Sequence, residues 1–74
     1  MKRFFVNKYP VNCGIGNDKQ PRMVETGTVF TIIGISGSMF ELEPVTKIEW
    51  LEGYPIVVDP LMLERGFTSQ EYAP

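Results

Sequence analysis

The stretch Thr28-Val29-Phe30-Thr31-Ile32-Ile33-Gly34-Ile35-Ser36-Gly37-Ser38-Met39-Phe40-Glu41-Leu42-Glu43 decides the fold class. Its first six residues are all β-branched or aromatic, the composition that suits a pleated, half-buried surface, so they are predicted to form a strand. Gly34 permits a bulge or bend in that strand. Ser36-Gly37-Ser38 supplies a turn. Beyond it Phe40 and Leu42 alternate with Glu41 and Glu43, one pair inward and one outward. The whole reads as a β-hairpin.

Upstream, Glu25-Thr26-Gly27 is a turn, and Phe4-Phe5-Val6 suits a first strand that pairs with a terminal partner. Residues 7–22 are crowded with Asn7, Pro10, Asn12, Gly14, Gly16, Asn17, Asp18 and Pro21 and follow neither a helical nor a strand period. They read as one long loop. Downstream, Pro44 ends the second hairpin strand because it lacks an N–H. Ile48-Glu49-Trp50-Leu51 reads as a further strand or its approach, Glu52-Gly53-Tyr54-Pro55 as a turn, and Ile56-Val57-Val58 as a short strand. Asp59 and Pro60 are suited to N-cap and N1, and Gly66 to a left-handed C′ position, which predicts a short helical turn over residues 59–66. Phe67-Thr68 is predicted to form a last strand, with a loose tail over residues 70–74. Phe30, Ile32, Phe40, Leu42, Trp50, Ile56, Val58, Leu61, Leu63 and Phe67 are the expected core.

Seventy-four residues make one domain over residues 1–74, since so short a chain cannot divide its core. Hydrophobic residues make up 43%, enough to build that core without a metal or a disulfide. Cys13 is the lone cysteine, so no intramolecular disulfide forms and a reducing, cytoplasmic setting fits. The apolar run after Lys2-Arg3 is too short for a signal-peptide core, and no run approaches the roughly 20 residues of a membrane span.

Net charge is −2, divided into +4 over residues 1–24 and −6 over residues 25–74. The acidic majority argues against wholesale phosphate binding, although the basic segment of Lys2, Arg3, Lys8, Lys19 and Arg22 keeps a nucleic-acid role as the alternative. Histidine is absent, which removes the commonest general base and metal ligand. Cys13 has no basic neighbour beyond Lys8 to activate it. Cys13-Gly14-Ile15-Gly16-Asn17 lacks the lysine and serine of a phosphate loop and the third glycine of a dinucleotide fingerprint. Glu41 and Glu43, two apart on a strand, read as solvated carboxylates and not as an acid/base pair or a calcium site. No catalytic residue, metal ligand or cofactor site is therefore expected.

Five short strands, a central hairpin and one helical turn before the last strand predict a mostly β, strongly bent barrel. The segments Val24-Glu25-Thr26-Gly27-Thr28-Val29-Phe30-Thr31-Ile32, Phe40-Glu41-Leu42 and Ile56-Val57-Val58, followed by Leu61, Leu63 and Phe67, resemble the small Src-homology-3-like barrel proteins of Gram-positive bacteria and their phages. The resemblance covers residues 24–67. It implies a five-stranded barrel serving as a compact binding or accessory module, carries over no active-site residue, and does not extend to residues 7–22.

Function is accordingly expected to be non-enzymatic protein binding. Long loops on small scaffolds are enriched in recognition, which makes residues 7–22 the candidate surface, with Tyr9, Lys19 and Arg22 as contacts and Tyr54 as their neighbour. Trp50 is expected to pack in the core, because a tryptophan buries so much area. Exposed beside Tyr54 and Tyr9, it would instead complete an aromatic hot spot.

Overall fold

The structure is a computed structural model and describes residues 3–15, 18–51 and 53–71. Seven strands run in order: β1 (Phe4–Asn7), β2 (Val11–Ile15), β3 (Asp18–Val24), β4 (Val29–Ser36), β5 (Met39–Pro44), β6 (Ile56–Val58) and β7 (Phe67–Gln70). A 3₁₀ turn, Glu49–Leu51, precedes β6, and a short helix α1 (Pro60–Gly66) precedes β7. The chain is thus mostly β with one short helix, as its composition implies.

Five strands form one antiparallel sheet in the order β6-β5-β4-β1-β7, and β2 and β3 form a separate two-stranded ribbon. The larger sheet is open, with β6 and β7 at its edges. A flat sheet with strands about 4.8 Å apart would hold those edges roughly 19 Å from each other. Ile56 and Val58 of β6 nevertheless share one buried cluster with Phe67 of β7, Phe5, Phe30, Leu42, Leu51, Val11 and Val24. The sheet therefore curls its inner face around a single core. Phe30 and Phe67, two strands apart, meet edge to face with ring centroids 6.0 Å apart, an arrangement that adds aromatic attraction to area burial.

The β4–β5 hairpin forms where it is expected. Gly37 takes a φ of 63° in its turn, which glycine adopts without a Cβ penalty. The register skips a residue between Ile32 and Gly34. That bulge sits beside the glycine and turns the strand.

The segment 7–22 departs from the long-loop reading. Only Lys8 to Pro10 separate β1 from β2, and β2 pairs with β3 from Val11↔Val24 to Ile15↔Asp18. The segment is thus largely paired strand, and Gly16 and Asn17, between the paired Ile15 and Asp18, lie outside the described residues. Within residues 48–51 the chain forms the 3₁₀ turn Glu49–Leu51 and not a strand, closed by the Leu51 N–H donating to the Ile48 carbonyl at 3.1 Å, with Leu51 buried. Gln70 belongs to β7 opposite Phe4 and not to a tail, whereas residues 72–74 lie outside the described residues.

Helix α1 begins as expected, with the Asp59 side chain accepting from the Met62 N–H. Its end differs. Gly66 is the last helical residue, without a positive φ, and the chain passes directly into β7 at Phe67 with φ −130°. The Lys8 N–H donates to the Gly66 carbonyl at 2.8 Å. A tertiary donor thus satisfies a carbonyl that a left-handed cap would otherwise serve.

The core is shifted from the expected set. Phe5, Val11, Val24 and Leu51 join it, Phe40, Trp50 and Leu63 pack against it partly buried, and Ile32 and Leu61 stand 39% and 54% exposed. Asn7 is 1% exposed. Its amide donates to the carbonyls of Tyr9 (3.0 Å) and Glu25 (2.8 Å), and its Oδ1 accepts from the Thr28 N–H (2.8 Å). The Asn7 carbonyl also accepts from the Gly27 N–H at 3.0 Å. This one side chain ties the end of β1 to both ends of the ribbon.

Candidate binding surface

Among the described side chains, those that anchor the ribbon lie at its root. Val11 and Val24, its terminal pair, are buried in the core, whereas Asn12 and Met23, the next pair, are exposed. From there the strands pair with each other and not with the larger sheet. The ribbon is therefore a backbone-stiffened projection rather than a flexible loop.

Tyr9 lies in the three-residue step between β1 and β2 and is 66% exposed. With Asp59, Leu61, Met62 and Arg65 it borders a depression of about 360 Å³ against α1. Leu61 and Met62, absent from the core, here form an exposed apolar floor. Lys19 and Arg22 belong to β3, with Arg22 opposite Cys13 on β2; their side chains lie outside the described part of the structure. Tyr54, 57% exposed, follows the 3₁₀ turn and borders a different depression of about 300 Å³, with Glu43, Val45 and Lys47. The two tyrosines thus border different depressions.

A third depression, of about 400 Å³, separates the ribbon root from the loop after β5. Met23, Glu25 and Val29 line one wall and Lys47, Ile48 and Trp50 the other. Lys47 and Ile48 line this depression and the one beside Tyr54, so the loop forms a divide between them. Residue-type reasoning missed Met23, which follows Arg22 on a strand read as loop. Met23 and Val24 are both apolar, so no alternation in the sequence separates them, and only the exposure of Met23 beside buried Val24 marks it.

Among the described residues no group of three His, Cys, Asp or Glu could hold a metal ion, and no buried side-chain N or O lacks a hydrogen-bond partner. Glu41 lies across Gly34, its Oε1 only 2.9 Å from where a Cβ would stand, while Glu43 opposite Thr31 is exposed. Among the described residues no helix is long and apolar enough to cross a membrane. No protein-family model matches the chain, and no curated protein or solved structure shows significant similarity to it.

Proposed function

We propose that the chain is a small, non-enzymatic protein-binding module in which the β2–β3 ribbon and Tyr9 at its root present the contact surface. The observation that carries this reading is the ribbon itself. Among its described side chains only the terminal pair, Val11 and Val24, enters the core, and the next pair, Asn12 and Met23, is exposed, while the two strands continue to pair with each other as far as Ile15↔Asp18. Recognition elements carried on a rigid scaffold have this organisation. Exposed Tyr9 and Met23 supply apolar contact area, and tyrosine is enriched at binding hot spots.

The same reading takes the curled sheet as a Src-homology-3-like barrel. Support comes from the order β6-β5-β4-β1-β7, in which the last strand returns beside the first after a short helix. The lone cysteine supports action in a reducing compartment such as the cytoplasm of a bacterium.

A photo-crosslinking amino acid at position 9, with position 64 on exposed α1 as control, tests the proposal in a bacterial extract. A discrete protein adduct at position 9 that disappears on Lys19→Ala/Arg22→Ala supports it. Equal labelling from both positions refutes it. Should the ribbon instead serve nucleic acid, retention on single-stranded DNA will fall steeply between about 50 and 200 mM salt, as counterion release requires.

A further inference from the structure

Strand β4 outruns the neighbour that pairs with it. β1 covers only Val29, Phe30 and Thr31, whereas β4 continues to Ser36. Among the described residues no strand pairs with residues 32–36 on the β1 side, although β5 pairs with them on the other. Arg3, just before β1, is engaged toward β7 instead, donating to the Ser69 hydroxyl at 2.8 Å and facing the Glu71 carboxylate at 3.7 Å.

This edge, unpaired among the described residues, is also apolar. Ile32, Ile33 and Ile35 are all exposed, Ile35 at 68%. Ile35 stands opposite Phe40, which stands opposite Val58, so it lies on the core-facing side of the sheet and prolongs the inner surface past the core. The fifteen residues 26–40 carry no charge, in a chain that is 22% charged. Exposed edges are ordinarily blunted by lysine, proline or a covering segment. Pro60 and Asp59 follow β6, and the Arg3–Glu71 pair guards β7. The β4 edge has no such guard among the described residues.

We infer that this edge is a self-association site, at which the free half of β4 pairs antiparallel with the same segment of a second copy about a two-fold axis. The occupant follows from charge. A strongly acidic or basic partner finds no complement along residues 32–36, whereas the same edge of another copy is equally neutral and apolar and matches it in an isologous contact. The nearest carboxylate, on Glu41, lies over Gly34 on the opposite face from Ile35. Five-residue strands span only about 17 Å, so the contact falls below the roughly 1,200 Å² of a standard interface. The dimer is therefore weak, with a Kd of about 10 µM to 1 mM. This surface is separate from the ribbon, and its test does not depend on the ribbon's partner.

The experiment is sedimentation equilibrium of the full 74-residue chain from about 20 µM to 1 mM, with amide NMR shifts recorded over the same dilution. A reversible monomer–dimer equilibrium is expected, with dilution shifts concentrated on residues 32–36. Ile35→Lys, at an exposed position, should weaken dimerisation at least tenfold while leaving the monomer's melting temperature within a few degrees. Val57→Lys, exposed on edge strand β6, should leave the dimer intact. A chain that stays monomeric at 1 mM overturns the inference. So does a dimer that survives Ile35→Lys or whose shifts map to β6 or the ribbon.

Discussion

The five-stranded sheet and the β2–β3 ribbon are built from the same backbone ladder but are held in different ways. In the sheet, cross-strand neighbours meet on an inner face and bury Phe5, Phe30, Leu42, Ile56, Val58 and Phe67 together. Among the described side chains of the ribbon only Val11 and Val24 reach that cluster, and Asn7 secures the root by hydrogen bonds to Tyr9, Glu25 and Thr28. Apolar burial maintains the one, and a buried amide fixes the other in place. Changes in the sheet should therefore unfold the molecule, whereas changes along the ribbon should spare the fold and alter what it contacts.

The strongest way to break this contrast is to empty the core. Phe30 is fully buried and packs edge to face on Phe67. Phe30→Ala is expected to cost about 3–5 kcal/mol, comparable with the whole stability of so small a domain, and to leave it unfolded at 25 °C by circular dichroism. Phe40→Ala, at a partly buried site, should cost visibly less. Equal losses would mean that the sheet does not curl around Phe30.

The second largest effect should come from Asn7. Asn7→Ala leaves the Tyr9 carbonyl and the Thr28 N–H without their partner and the Glu25 carbonyl with only the Thr28 hydroxyl, at about 1–3 kcal/mol for each buried group that water cannot reach. Denaturant unfolding measures the loss, and faster hydrogen exchange at the Thr28 amide should accompany it. A substitution tolerated within 0.5 kcal/mol, the usual range of surface changes, would show that the ribbon root is held by Val11 and Val24 alone.

Neighbouring residues on β3 then sharpen the comparison. Val24→Ala removes buried methyl groups and should cost about 2 kcal/mol. Met23→Ala, one residue earlier and exposed, should stay within about 0.5 kcal/mol. The Met23 change should nonetheless reduce crosslinking from position 9.

The same contrast explains what could be read from the residues. The β4–β5 hairpin was legible because a β-branched run, a Ser-Gly-Ser turn and an alternating strand all point one way. The ribbon was not, because turn formers occupy its strands as well as its reversal and because its strands pair only with each other. Asn7 reads as a turn residue, and only its burial against the Glu25-Thr28 turn reveals its role. For the 3₁₀ turn, the apolar residues of 48–51 were too few for periodicity to separate strand from helix. Of the candidate contacts, Tyr9 and Tyr54 are both exposed as a contact role requires, but their separation onto different depressions depends on the path of the loop after β5.

A small effect is also expected where α1 runs into β7, at Gly66. Its place after Arg65 predicts a left-handed cap, and on that reading any side chain would be strained. In the structure its φ is not positive, its carbonyl is held by the Lys8 N–H, and a Cβ would meet only the Met62 Cγ, at an ordinary 3.7 Å. Alanine there loses less conformational entropy on folding than glycine does, and the full difference in a helix interior is about 0.8–1.0 kcal/mol. At the last helical position about half of that remains, so Gly66→Ala should stabilise the protein by about 0.5 kcal/mol. Gly37→Ala, at φ 63°, should instead destabilise it by about 1 kcal/mol. Thermal melts of the two variants measured side by side decide the matter: opposite shifts support the tertiary cap, and a drop in both means that Gly66 is left-handed after all.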